Sequence, residues 1–206
     1  GVDAITVKEG ETAESQKPED PEKAGHTFVE WQKEDGTAYV WTDPVSADIS
    51  LTAKWTLTEY TITYLPEGVV TDNPTTYNIE SDTITLNDPT ACPSATPNFL
   101  EWRLNDENGA VVTKIAKGST GNKIIYANCT ADTVYKITFK LGEEVIGKGK
   151  NVVDGKKLTD FTGYEKYDFY SDAEGDNLFK FTETPITSNI TVYLKVKSLK
   201  VSLTIA

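Results

Sequence analysis

Gly25-His26-Thr27-Phe28-Val29-Glu30-Trp31, followed by Asp43-Pro44-Val45-Ser46-Ala47-Asp48-Ile49-Ser50-Leu51-Thr52-Ala53-Lys54-Trp55, reads as two strands joined by a turn-rich link. Ile49, Leu51 and Ala53 alternate with Ser50, Thr52 and Lys54, the period-two pattern of a half-buried strand. Between the two strands, Asp35-Gly36-Thr37 is a turn signal, Tyr39 and Trp41 alternate with Ala38 and Val40, and Asp43-Pro44 breaks the run.

The same pattern returns further along the chain. Pro97-Asn98-Phe99-Leu100-Glu101-Trp102 repeats the first strand, and Glu165-Lys166-Tyr167-Asp168-Phe169-Tyr170 repeats it more loosely. Asn122 to Cys129 and Thr184 to Val196 repeat the second. Trp31 and Trp102 lie 71 positions apart, and Trp102 and Tyr170 lie 68 apart. A near-constant period marks an array of similar units. This period exceeds that of most solenoid repeats, so each unit is expected to be a small domain with its own core.

Four segments follow. Residues 1–56 form a truncated first module, in which Ala4 to Val7 is a short strand candidate and Lys17-Pro18-Glu19-Asp20-Pro21 is extended. Residues 57–130 form a complete second module, opened by the alternation of Tyr60, Ile62 and Tyr64 and closed by Lys123 to Ala127. Thr75 to Ile79 and Thr83 to Leu86 are strand-like within it. Residues 131–197 form a third, opened by Tyr135, Ile137, Phe139 and Leu141 and closed by Ile190, Val192, Leu194 and Val196. In residues 198–206, Leu199, Val201, Leu203 and Ile205 alternate with Lys200, Ser202 and Thr204, like the opening strand of a further module. The chain reads as a fragment of a longer array. Unpaired strands at its ends would be sticky edges unless neighbours cover them.

These residues resemble the Listeria–Bacteroides repeat, the module that also forms the B-repeat of listerial internalins. The features are Pro18 and Pro21, Gly25 to Trp31, Pro44 to Asp48, and Leu51 to Trp55. The second module matches in Ile79 to Leu86 and Gly118 to Asn122; the third carries Tyr170 and Val196 where the first has Trp31 and Trp55. The resemblance implies a mainly β, β-rich α+β fold of tandem small β-grasp-like modules in an elongated array. It also implies bacterial secreted or surface proteins, in which such modules act as spacers, adhesins and contact modules with no catalytic residues.

Composition agrees with that setting. The 206 residues carry a net charge of -12, which disfavours nucleic acid and anionic membranes as partners, since both are gripped by Lys and Arg clusters. No apolar run reaches membrane-spanning length. His26 is the only histidine, so a Ser/His/Asp or Cys/His site is nearly excluded and no enzyme is expected. No metal site or cofactor is expected: Asp172, Glu174 and Asp176 lack the spacing of a calcium loop and read as a turn.

Cys92 and Cys129 both fall in the second module, Cys129 at the place of Trp55. A disulfide and a pair of buried free thiols are both open readings. Phe28, Trp31, Trp55, Phe99, Trp102, Tyr167 and Tyr170 form an expected core aromatic signature, because Trp31 recurs as Trp102 and Tyr170, and Trp41 as Phe181. The expected role is a spacer and adhesion segment at the bacterial cell surface. Its partners would be neighbouring modules and a host protein or glycan. The alternative is a carbohydrate-binding module, which would need exposed, coplanar aromatic faces.

Overall fold

Alternating β-branched and aromatic residues make strands wherever they find a partner, and the computed structural model, which describes residues 2–197, is built almost wholly from such pairs. In chain order the strands are β1 (His26–Gln32), β2 (Thr52–Leu57), β3 (Tyr60–Leu65), β4 (Thr76–Tyr77), β5 (Ile84–Thr85), β6 (Asn98–Leu104), β7 (Lys114–Ile115), β8 (Lys123–Thr130), β9 (Val134–Leu141), β10 (Glu144–Val145), β11 (Lys150–Val153), β12 (Tyr167–Tyr170) and β13 (Ile190–Val196). The fold is mainly β. No α-helix occurs among the described residues; the only helical turn there is a 3-10 turn, Glu14–Gln16. The tail alternation from Leu199 to Ile205 lies outside the described residues.

The chain divides into two compact units. Unit 1 comprises residues 1–62, 74–84 and 114–123, and unit 2 comprises residues 63–73, 85–113 and 124–206. Unit 2 therefore takes in the whole third repeat and much of the second.

In unit 1, β1 and β2 form an antiparallel two-stranded sheet. The register pairs Phe28 with Trp55 and Trp31 with Ala53, and a bulge at Val29 lets both aromatics face the same side. Gly25 starts the hairpin with φ of +71°, and a Cβ there would come within 2.6 Å of Ile79, so only glycine fits. Elsewhere in the unit, β3 begins against β4, with Tyr60 opposite Tyr77.

Unit 2 contains the five-stranded sheet, in the order β10-β9-β13-β12 with β11 also on β9. β9 and β13 run parallel at its centre; β11 and β12 flank them antiparallel. Ile137, Phe139, Val192 and Leu194 point into one core, at 0 to 3% exposure. The connection from β11 to β12 contains no helix, and instead plugs Leu158 and Tyr164 into that core. A second hairpin in this unit pairs β6 with β8, with Phe99 opposite Cys129 and Trp102 opposite Ala127.

Three sequence expectations shift. Ala4 to Val7 is not a strand, because no neighbour supplies a ladder for it. The closing strand of the first repeat starts at Thr52 rather than Ile49, because residues 49–51 lack the parallel partner that β9 gives to β13. β4 and β5 are each two residues long, shorter than the strand-like stretches around them.

Candidate functional site

The expected aromatic signature gathers on the hairpins. In unit 1 the ring centroid of Phe28 lies 5.6 Å from Trp31 and 5.7 Å from Trp55, and His26 meets Trp55 edge-on at 6.5 Å. Tyr39 and Trp41 meet edge-on at 5.0 Å. In unit 2, Trp102 is 3% exposed, with Phe99 at 5.1 Å and Tyr64 at 5.5 Å. Its indole Nε1 donates to the Asn87 carbonyl at 2.8 Å. Tyr167 is buried; Tyr170 is half-buried beneath the Lys195 ammonium, 5.1 Å from the ring centroid. These rings meet one another tilted or edge-on, as packed aromatics do, and not as the coplanar platform that a sugar face needs.

Backbone hydrogen bonds fix which residues are equivalent. Tyr39 donates to Trp31, Val112 to Trp102 and Phe179 to Phe169, all at 2.8 to 2.9 Å. Two residues on, Lys33 donates to Thr37, Leu104 to Ala110 and Ser171 to Asn177. The residue in the Trp31 place of the third repeat is therefore Phe169, not Tyr170. Phe169 packs 5.2 Å from Phe181 and 5.9 Å from Phe139. The signal was the spacing. Phe28 to Trp31 and Phe99 to Trp102 are three residues apart, which in a strand requires a bulge for both to face one side; both hairpins have one. Tyr167 to Phe169 is two apart, and that strand pairs regularly.

The candidates for other chemistry are engaged in structure. The ring of His26 is hydrogen-bonded through Nδ1 to Ala24 at 2.9 Å. Asp172 accepts backbone N–H bonds from Gly175, Asp176 and Asn177, so its carboxylate caps a turn. The Asp176 amide, with those of Asn177 and Gly175, holds the Asp172 carboxyl below its ordinary range. Among the described residues no group of three His, Cys, Asp or Glu could hold a metal ion. Cys92 and Cys129 are joined by a disulfide.

Asp160 is the most perturbed carboxylate. Burial pushes it up, but hydrogen bonds from Lys150 at 2.7 Å and from Thr162 outweigh that and hold it at about 2. A folded value below the unfolded one of about 3.9 means that Asp160 contributes stability above pH 4, lost as pH falls towards 2. Asp160→Asn should therefore flatten acid unfolding between about pH 4 and 2. At neutral pH it should cost roughly 1–2 kcal/mol, by stripping the largely buried Lys150 of its partner. Urea unfolding across that pH range reads both effects.

Comparison with known proteins bears on the N-terminal hairpin. Residues 1–54 match the model of the Listeria-Bacteroides repeat domain. This segment belongs to the Listeria-Bacteroides repeat family. The match covers β1 and the first half of β2, including Gly25, Phe28 and Trp31. A protein of Evansella cellulosilytica described as "Putative membrane protein" is 38% identical over 55 residues, which is 25% of this chain and 8% of that protein. The chain thus spans a small fraction of the length of that relative. No solved structure matches the chain. Among the described residues no helix is long and apolar enough to cross a membrane.

Proposed function

We propose that this chain is a non-catalytic run of tandem β modules, serving as a spacer and adhesion segment of a bacterial protein displayed outside the cell. One observation carries the reading: the hairpin of the Listeria-Bacteroides repeat recurs twice with the same cross-hairpin hydrogen bonds, at Trp31, Trp102 and Phe169. Repetition of one packed unit, with its aromatics spent on its own core, is what a length-setting element needs. The sheet of unit 2, with β9 and β13 parallel at the centre and β11 and β12 outside, supports a β-grasp-like module. The Cys92–Cys129 disulfide supports a place outside the cytoplasm, because such bonds persist in oxidising compartments. The relative named as a membrane protein fits the same location.

Adhesion in such an array arises from weak contacts at loops and strand edges, multiplied by copy number. The purified chain on an array of glycans and extracellular-matrix proteins tests this. The expected result is protein binding that strengthens when the chain is presented multivalently, with no glycan signal. Glycan binding abolished by Trp41→Ala would overturn it in favour of a carbohydrate-binding module, since Trp41 is half-buried and lies at the surface of unit 1.

A further inference from the structure

The unit boundaries cut through a repeat instead of separating repeats. They fall within the second one, at residues 62–63, 73–74, 84–85, 113–114 and 123–124. The passage from the first repeat to the second therefore lies inside unit 1, and the passage from the second to the third inside unit 2. Both passages are short. Two residues, Thr58 and Glu59, separate β2 from β3, and three, Ala131 to Thr133, separate β8 from β9.

Both passages are held at the same place. Thr27 pairs with Thr56 and Asn98 with Thr130, and Thr58 and Asp132 each stand two residues beyond those partners. In unit 1 the Thr27 and Thr58 hydroxyls are hydrogen-bonded at 2.8 Å, and the Thr58 N–H donates to the Gly25 carbonyl at 3.0 Å. In unit 2 the Asn98 side-chain amide donates to the Asp132 carbonyl at 3.0 Å. The start of each hairpin also abuts the segment that pairs with the next opening strand. Gly25 lies against Ile79, two residues past β4, and β6 lies against β11.

Unit 2 adds side chains that cross from the third repeat to the second. The Asn151 amide, on β11, donates to the Phe99 carbonyl on β6 at 3.0 Å. The Lys148 ammonium donates to the Leu86 carbonyl and, at 2.6 Å, to the Asn87 side-chain oxygen. Lys136 meets Asp88 at 3.7 Å in the same recess. The Asn87 carbonyl in turn accepts the Trp102 indole N–H, so Lys148 grips the chain beside an anchor of the second repeat's core. Burial holds the Lys148 ammonium below its usual range, against the pull of Asp88. Fixing its long side chain and drawing its charge from water both cost free energy, which the two acceptors offset only while the second repeat stays in place.

We infer that this surface is a keyed joint, at which the second repeat takes the third as its partner and the two open as one body. Lys148 and Asn151 are the keys, and the carbonyls of Leu86 and Phe99 their seats. The hydrogen bonds at Thr58 are the simpler form of the same joint in unit 1. For a spacer, a role that rests on the reading proposed above, the reach added by a repeat is then set by a packed joint and not averaged over a swivelling link.

Hydrogen exchange of the full chain, read amide by amide, tests the coupling. Ile137→Val removes one methylene from a fully buried site of the third repeat. It should speed exchange roughly two- to tenfold in β13, and by the same factor in β6 of the second repeat. With Lys148→Met and Asn151→Ala both in place, Ile137→Val should still speed exchange in β13 and leave β6 unchanged. Exchange in β6 that ignores Ile137→Val in the parent chain overturns the inference. So does a shared factor that survives the loss of both keys. Neither outcome touches the spacer reading, which the binding array judges independently.

Discussion

Phe139→Ala is expected to destabilise unit 2 by about 3–5 kcal/mol, the cost of emptying a fully buried aromatic site. Phe139 is 0% exposed at the centre of β9, between the parallel partner β13 and the segment that crosses the sheet. Its ring centroid lies 4.1 Å from Tyr164, 5.9 Å from Phe169 and 6.1 Å from Phe181, so three chain segments lose contacts at once. Those neighbours cannot collapse into the void freely. Tyr164 is tethered by its hydroxyl, which donates to the Ile146 carbonyl at 3.0 Å, and Phe169 sits in a regular ladder opposite Leu194. Phe139→Leu keeps most of the volume and should cost under about 1.5 kcal/mol. Urea denaturation of the two variants, read by circular dichroism, separates packing from mere loss of an aromatic. A cost below about 1 kcal/mol for the alanine variant would mean that the parallel pair β9–β13 is not the core of this unit.

The contrast between β9 and the run at residues 49–54 shows what alternation in a sequence can and cannot convey. The period-two runs at Tyr135 to Leu141 and Ile190 to Val196 announced two half-buried strands, and both are present. Nothing in either run states that they lie parallel and adjacent, since pairing is a property of the closed sheet. The run at Ile49 to Lys54 has the same quality, yet its first residues are irregular for want of a partner. Local pattern sets the propensity; a neighbour realises it. Face assignment was recoverable in principle. Aromatics spaced by three in a strand demand a bulge, and the third hairpin, spaced by two, moves the equivalent of Trp31 from Tyr170 to Phe169. Tyr167, Phe169 and Tyr170 are all aromatic, so composition alone could not fix that phase. The disulfide was legible only as an alternative, because two cysteines 37 positions apart constrain no geometry until the strands are placed.

Reducing the Cys92–Cys129 bond, or replacing both residues in Cys92→Ser/Cys129→Ser, should lower stability by roughly 3–4 kcal/mol, the chain-entropy value for a loop of this length. The position explains why the second repeat needs the link. Cys129 lies opposite Phe99 in the β6–β8 register, as Trp55 lies opposite Phe28 in β1–β2. In the first hairpin the Trp55 ring meets Phe28 edge-on at 5.7 Å and closes that end of the pair. Cys129 has no ring to offer. It reaches instead to Cys92, in a segment whose backbone bonds include those of Thr90 and Ala91 with Val70 and a local turn from Thr96 to Pro93. With so few bonds of its own, residues 89–96 should become the first part of unit 2 to open when the disulfide is broken. Urea unfolding with and without reductant measures the global effect, and hydrogen exchange at Ala91 measures the local one. A difference below about 1 kcal/mol would show that the covalent link is dispensable, and would remove the physical reason for placing this protein in an oxidising compartment.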